Sequence, residues 1–255
     1  MKLLRRPIAS TDQFPVQTLA PEVPFCVVGD VHGRADLLER IEDHIVRHYP
    51  GVITVFVGDY IDRGEDSART LNLLASGSDS GSQPVVCLRG NHEEMLLSFL
   101  DDPVGSGRHW LQHGGLQTLA SFGVSWVAPT SPDDALCFTR DTLARCMGAD
   151  LIDWLRARPA LWQTGNVAVA HAGADPSRPF AAQSEANLIW GHPSFRRSPR
   201  KDGIWVAHGH IAHETAHHRA GRIAVDTGAF ATGLLSGAFI APGHIEFFST
   251  NVTQP

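Results

Sequence analysis

Residues 25–33 read Phe25-Cys26-Val27-Val28-Gly29-Asp30-Val31-His32-Gly33, an apolar, β-favouring run that stops on glycine and passes at once into an acid and a histidine. The next segment, 35–48, carries Leu37, Leu38, Ile41 and Ile45 at helical spacing and reads as an amphipathic helix. This unit recurs twice. Residues 52–57 lead into Gly58-Asp59-Tyr60-Ile61-Asp62-Arg63-Gly64 and a helix through 71–74, and residues 85–88 lead into Arg89-Gly90-Asn91-His92-Glu93 and a helix through 95–100. Strands alternating with helices define βαβ units and a parallel sheet, in which ligands bind beyond the carboxyl ends of the strands. All three polar clusters fall at such ends.

Further along, 94–162 reads mostly helical, with segments at 111–122 and 141–158 separated by Pro129, Ser131 and Pro132; it is expected to cap the site. Short, Gly-bounded β-like runs return at 166–170, 204–207, 222–225, 234–240 and 244–248, which suits a second, more antiparallel sheet. The expected fold is α/β: a sandwich of two mixed sheets flanked by helices, with a helical cap insertion. Residues 1–22 are punctuated by proline and read as an N-terminal arm, leaving 23–255 as one domain; 76–82 reads as a Gly/Ser loop.

Composition excludes several classes of protein. With 255 residues, 43% hydrophobic and 19% charged, the chain builds a core without disulfides or a structural metal. Its net charge of −6 gives no basic field for nucleic acid, and the densest basic run, Arg196, Arg197, Arg200 and Lys201, reads as a solvated loop. Cys26, Cys87, Cys137 and Cys146 form no CxxC pair and read as buried free thiols of a reducing compartment. The basic start is not followed by an apolar signal core, and no run approaches the ~18 apolar residues of a membrane span. A cytoplasmic location is expected.

Just past the apolar runs lie Asp30, His32, Asp59, Asp62, Asn91, His92, His171, His208 and His210. These oxygen and imidazole donors suit hard to borderline divalent metals. Singly, each has an ordinary explanation. A Gly-Asp-x-His turn can be a plain β-to-α connection with an Asx cap, Asn91-His92 a helix cap and a surface histidine, and His171 or His210 a satisfied polar residue. Five clusters at five strand ends point instead to one site assembled by the fold.

Gly29-Asp30-Val31-His32-Gly33, the Gly58–Gly64 stretch, Arg89–Glu93, His171-Ala172-Gly173 and Gly209-His210 together resemble the ordered signature of the phosphoprotein-phosphatase (PPP) type of calcineurin-like dinuclear metallophosphoesterase. His109-Trp110-Leu111 with Gly114-Gly115, and Asp226-Thr227-Gly228, look like the bacterial and phage serine/threonine phosphatase branch, related to the symmetrical diadenosine tetraphosphatases. The resemblance spans 24–248. It implies Asp30 and His32 as ligands of a first metal, Asp59 as the bridging carboxylate, and Asn91, His171 and His210 as ligands of a second. It further implies His92 as general acid with Asp62 orienting it, Arg63 and Arg89 as phosphate clamps, and two divalent ions, manganese foremost, with iron, zinc or cobalt compatible. A hydroxide bridging the metals would attack phosphorus directly.

Two positions depart from that branch. Trp190-Gly191-His192 stands where an arginine often follows the tryptophan, with Arg196 or Arg197 as possible substitutes, and His113 stands where asparagine is common. His208 shares a strand face with His210, but the alignment assigns the ligand to His210; His213, His217 and His218 read as a turn. The implied activity is dephosphorylation of phosphoserine and phosphothreonine, with phosphotyrosine in range, on a phosphoprotein or phosphorylated small molecule, without nucleic-acid or membrane partners. Hydrolysis of diadenosine tetraphosphate or another nucleotide is the alternative. A non-catalytic scaffold would have lost a ligand or the His-Asp pair, and none is lost.

Overall fold

The computed structural model describes residues 17–77 and 83–250. Most of the expected arm and the 78–82 part of the Gly/Ser loop lie outside the described residues. The strands are β1 (Phe25–Val28), β2 (Ile53–Phe56), β3 (Val85–Cys87), β4 (Leu161–Thr164), β5 (Val167–Ala170), β6 (Trp205–His208), β7 (His217–Arg219), β8 (Arg222–Ala224), β9 (Ser236–Ala241) and β10 (His244–Ser249). The helices are α1 (Ala35–His48), α2 (Ser67–Gly77), α3 (Asn91–Asp101), α4 (Pro103–Trp110), α5 (Leu116–Ser121), α6 (Asp133–Met147), α7 (Ala149–Arg156), α8 (Glu185–Trp190) and α9 (Ala229–Thr232).

Two mixed five-stranded sheets form, ordered β10-β9-β1-β2-β3 and β4-β5-β6-β8-β7. Alternation along β1 shows why they stack. Phe25 and Val27 face the second sheet with Val55, Val57, Val167, Val169, Ala207 and Ile223. Cys26 and Val28 face the opposite way, onto Leu37, Leu38 and Ile41 of α1. At about 25 cal/mol per Å² of apolar surface, two strands buried on both faces are a principal source of cohesion. β1, β2 and β3 run parallel, so the loops after them open at one end of the sandwich.

The second sheet is less antiparallel than expected: β5, β6 and β8 are parallel and only the outer strands β4 and β7 reverse. The connection from β5 to β6 carries α8, so it crosses over and returns parallel. β4 has no counterpart in the sequence reading, and His217 and His218, read as a turn, lie in β7; that strand is three polar, largely exposed residues and offers no apolar period.

The helical stretch is more broken than its periodicity suggests. Residues 111–115 make a π-turn before α5, and the helix expected over 141–158 is two helices parted at Gly148, whose φ of 78° suits glycine alone. Leu136, Leu143, Leu151 and Leu155 of α6 and α7 bury in the same core as α1 to α3, so much of the expected cap is outer-layer structure. Residues 17–22 pack on the second sheet, where Asn166 donates to the Thr18 carbonyl at 3.0 Å and accepts from the Ala20 N–H at 2.7 Å.

Two expectations on side chains are corrected. Arg200 is no part of a solvated loop: it is 4% exposed and donates to the carbonyls of Asp175 (3.0 Å) and Arg178 (2.9 Å) and to the Asp202 carboxylate (3.0 Å). A guanidinium with five donors can stitch a loop together from inside. Of the cysteines, Cys26 and Cys87 are buried, but Cys137 is half-buried and Cys146 exposed, because α6 turns that face outward. Among the described residues no helix is long and apolar enough to cross a membrane.

Candidate active site

The site forms where β1, β2, β3, β5 and β6 end. Six non-glycine residues among those described have positive φ, and five belong here: His32 (47°), Asp59 (53°), Asp62 (69°), Arg63 (68°) and His210 (63°). A left-handed conformation costs an L-residue of order 1 kcal/mol or more and persists only where the surroundings enforce it. Here it lets each chain turn back at the strand end, aiming the side chain at a common point.

Asp59 lies at that point, 2% exposed. Its Oδ2 stands 3.6 Å from His32 Nε2 and 3.9 Å from His92 Nε2; its Oδ1 stands 3.4 Å from His171 Nε2. Two groups of ligand atoms therefore share Asp59: one with His32 and His92, the other with His171 and His210, each within 4.8 Å. Asn91 belongs with the second group, its Oδ1 lying 2.9 Å from His171 Nε2 and 2.8 Å from His210 Nδ1. The main chain fixes the rings. His32 Nδ1 faces the Ile61 carbonyl at 2.7 Å and His171 Nδ1 the Val57 carbonyl at 3.2 Å, which turns each Nε2 inward as a metal ligand requires.

Burial holds the His32 imidazole down to about 3 and His171 to about 4, so both are neutral and ready to coordinate at neutral pH. Burial also opposes charge on Asp59, but His171, His92 and His32 outweigh it and keep the carboxyl well below its usual range. This donor set, imidazoles and an amide oxygen around a shared carboxylate, fits divalent transition metals.

Asp30 sits differently from its expected partner His32. Its carboxylate accepts the His210 N–H at 3.2 and 3.0 Å from its two oxygens, and burial, Asp226 and Asp59 push its pKa well up. His208 stands outside both groups: its Nδ1 faces the Gly209 carbonyl at 3.0 Å and its ring packs edge-on to Phe195 at 5.0 Å.

His92 meets Asp62 through Nδ1 and Oδ2 at 2.7 Å. Burial disfavours its charged form, yet Asp59 and Asp62 together raise its pKa above the ordinary value. Asp62 is fully buried and saturated by partners that sequence reading missed: Trp110 Nε1 at 3.0 Å and Thr118 Oγ1 at 2.6 Å, from α4 and α5. Arg63 Nη2 lies 3.0 Å from His92 Nε2, its guanidinium 5.1 Å from the Phe230 ring centre. Arg89 pairs with Glu185 at 2.8 Å and Glu94 at 3.2 Å.

Glu93 is the other missed residue. Its carboxylate accepts N–H bonds from Asp59 and Tyr60 at 2.8 Å and from Gly90 at 2.9 Å, tying the β2 and β3 loops together. A signal existed, since a Glu at the third position of a helix commonly reaches back to its cap. Gly90 has no substitute, because a Cβ there would stand 2.2 Å from Asp59 Oδ1. In the place of the arginine that often follows the tryptophan, His192 stands 3.9 Å from Asp175 and lines, with Arg196, a cavity that reaches His210.

Trp110 donates to Asp62, so its effect on activity is expected to pass through that carboxylate. Trp110→Phe is expected to cut kcat by about tenfold with KM little changed, the lower range for loss of an outer hydrogen bond. The alkaline limb of its pH profile should shift as well; an unchanged profile would make the role structural.

The sequence profile of the calcineurin-like phosphoesterase family matches residues 23–214. The chain belongs to that family, a class of metal-dependent phosphoester hydrolases. Its sequence is 27% identical over 224 residues to serine/threonine-protein phosphatase 2 of Escherichia coli K12, spanning 82% of this chain and 89% of that protein. A shorter stretch of 76 residues is 42% identical to a protein phosphatase 2A catalytic chain of Dictyostelium discoideum, covering 29% of this chain and 24% of that one. In fold it resembles a crystal structure provisionally described as a diadenosine tetraphosphatase (TM-score 0.61, 21% identity, 91% of this chain and 98% of the other). It also resembles a cold-active protein-tyrosine phosphatase of a psychrophilic Shewanella (TM-score 0.58, 16% identity, 92% and 83%).

Proposed function

We propose that this chain is a dinuclear metal-dependent phosphomonoesterase that removes phosphate from phosphoserine and phosphothreonine in proteins, with phosphotyrosine within its range. One observation carries the reading: Asp59 is common to two groups of ligand atoms, with the His92–Asp62 pair beside it. The likeness along most of the chain to a bacterial serine/threonine phosphatase supports it.

In this reading Asp30 and His32 serve one ion, Asn91, His171 and His210 the other, and Asp59 both. Divalent ions held there neutralise phosphate charge and acidify water. Arg63 and Arg89 grip phosphate oxygens through planar guanidinium groups. Phosphate drawing Arg63 away frees His92 Nε2 to hold a proton and deliver it to the leaving oxygen, while Asp62 keeps the ring aimed through Nδ1.

The test is kcat/KM of the manganese-loaded protein on phosphoserine, phosphothreonine and phosphotyrosine peptides beside diadenosine tetraphosphate, with chelated protein as control. Peptides are expected to lead by about tenfold, equivalent to ~1.4 kcal/mol in transition-state binding. A lead for the dinucleotide would replace the proposed activity with nucleotide hydrolysis.

A further inference from the structure

Next to the candidate active site lies a cavity of about 240 Å³ lined by His208 and Ile211, which flank His210 in the sequence. Its charged and polar walls are all basic residues or imidazoles: Arg196, Arg219, Arg222, His208, His213 and His217. No carboxylate lines it. Among the described residues, none of the three arginines has a carboxylate within salt-bridge distance, whereas eight of the other fourteen do. Glu214 lies in the same loop but is exposed and outside the lining.

The three arginines carry like charge. Arg222 is about half-buried, held by Nε on the Phe195 carbonyl at 2.7 Å and packed 5.5 Å over that ring; burial and Arg219 together lower its pKa. His213 and His217 stand edge to face at 4.6 Å between ring centres. Like charges gathered around one concavity repel one another, and an anion held there relieves that repulsion. Planar guanidinium groups at its wall match phosphate oxygens best.

The cavity shares Phe195, Arg196 and Ile211 with a neighbouring one of about 350 Å³ that reaches His210 and His192. We propose that the basic cavity takes a second phosphate of the same substrate while the scissile phosphate lies at Asp59. On this proposal the two phosphates sit on different residues of a peptide and not on adjacent phosphorus atoms. The proposal rests on the phosphomonoesterase reading above and narrows its substrate to multiply phosphorylated segments.

The experiment compares a singly phosphorylated serine peptide with the same peptide carrying a second phosphoserine about three residues away, an extended span of ~10 Å. With the metal-loaded protein, kcat/KM should be about tenfold higher for the doubly phosphorylated peptide, on the scale of one charge-assisted contact. In Arg196→Gln/Arg219→Gln, at two exposed positions, that ratio should fall to about one. A wild-type ratio near one, or a ratio kept in the variant, overturns the proposal, as does faster hydrolysis of tripolyphosphate than of the doubly phosphorylated peptide. If neither peptide is hydrolysed, the phosphatase reading itself fails. Calorimetric binding of inorganic phosphate, expected in the wild type and weakened about tenfold in the variant, then decides the cavity alone.

Discussion

Asp59→Asn should purify folded, hold fewer metal ions than the wild type, and lose at least about 10³-fold in kcat/KM, a loss at the upper end of that for removing one electrostatic stabiliser. The substitution keeps the side chain's size and leaves one oxygen to accept the His92 N–H that now meets Oδ1 at 3.0 Å. What it removes is the charge and the second oxygen. Both matter because His32 and His92 approach Oδ2 while His171 approaches Oδ1, so each ligand group depends on a different oxygen of the same carboxylate. With an amide in place, one group would face an N–H donor where an ion requires a lone pair. Elemental analysis measures the metal directly, and retention of the wild-type stoichiometry would remove Asp59 from the bridging role whatever the activity did.

That these side chains would gather at one place was legible in the sequence because each candidate follows an apolar run, and the end of a run marks the end of a strand. Topology does the rest: parallel β1, β2 and β3 open their loops at one end, and so do parallel β5 and β6 in the other sheet. Less legible was anything carried by backbone conformation or by distant partners. The left-handed turns at His32, Asp59, Asp62, Arg63 and His210 leave only a faint trace in residue type, since none of the five is glycine although Asp and His tolerate that region better than most. Trp110 and Thr118 reach Asp62 from helices packed on the outer layer; the stretch around Trp110 carried part of the resemblance but not its bond to Asp62, and Thr118 stands in an ordinary helical pattern. Arg200 misled for the opposite reason: a run of basic residues resembles a solvated loop until the fold turns one of them inward onto carbonyls. Asp30 shows a subtler limit. Its place at a strand end was evident, but its engagement with the His210 N–H depends on how two loops from different sheets meet.

The second large effect is expected at His92. Its ring can be read in two ways, because Nε2 belongs to a group of ligand atoms with His32 and Asp59 while Nδ1 is bound to the buried Asp62. A metal ligand and a proton donor make opposite demands: the first needs a bare nitrogen, the second a protonated one. The surroundings favour the donor, since Asp59 and Asp62 raise its pKa against the burial that depresses those of His32 and His171. His92→Asn should therefore retain the wild-type metal content and lose about 10²- to 10⁴-fold in kcat on a phosphoserine peptide. The loss should shrink markedly on p-nitrophenyl phosphate, whose leaving group departs without a proton, and an equal loss on both substrates would rule out proton donation. The sign of the pH effect follows. A donor must be protonated, so activity falls as pH rises through the His92 pKa, and Asp62→Asn, which takes away a partner that raises it, should move that alkaline limb to lower pH. Loss of metal from His92→Asn would instead make the residue a ligand, and the proton would then have to come from elsewhere in the site.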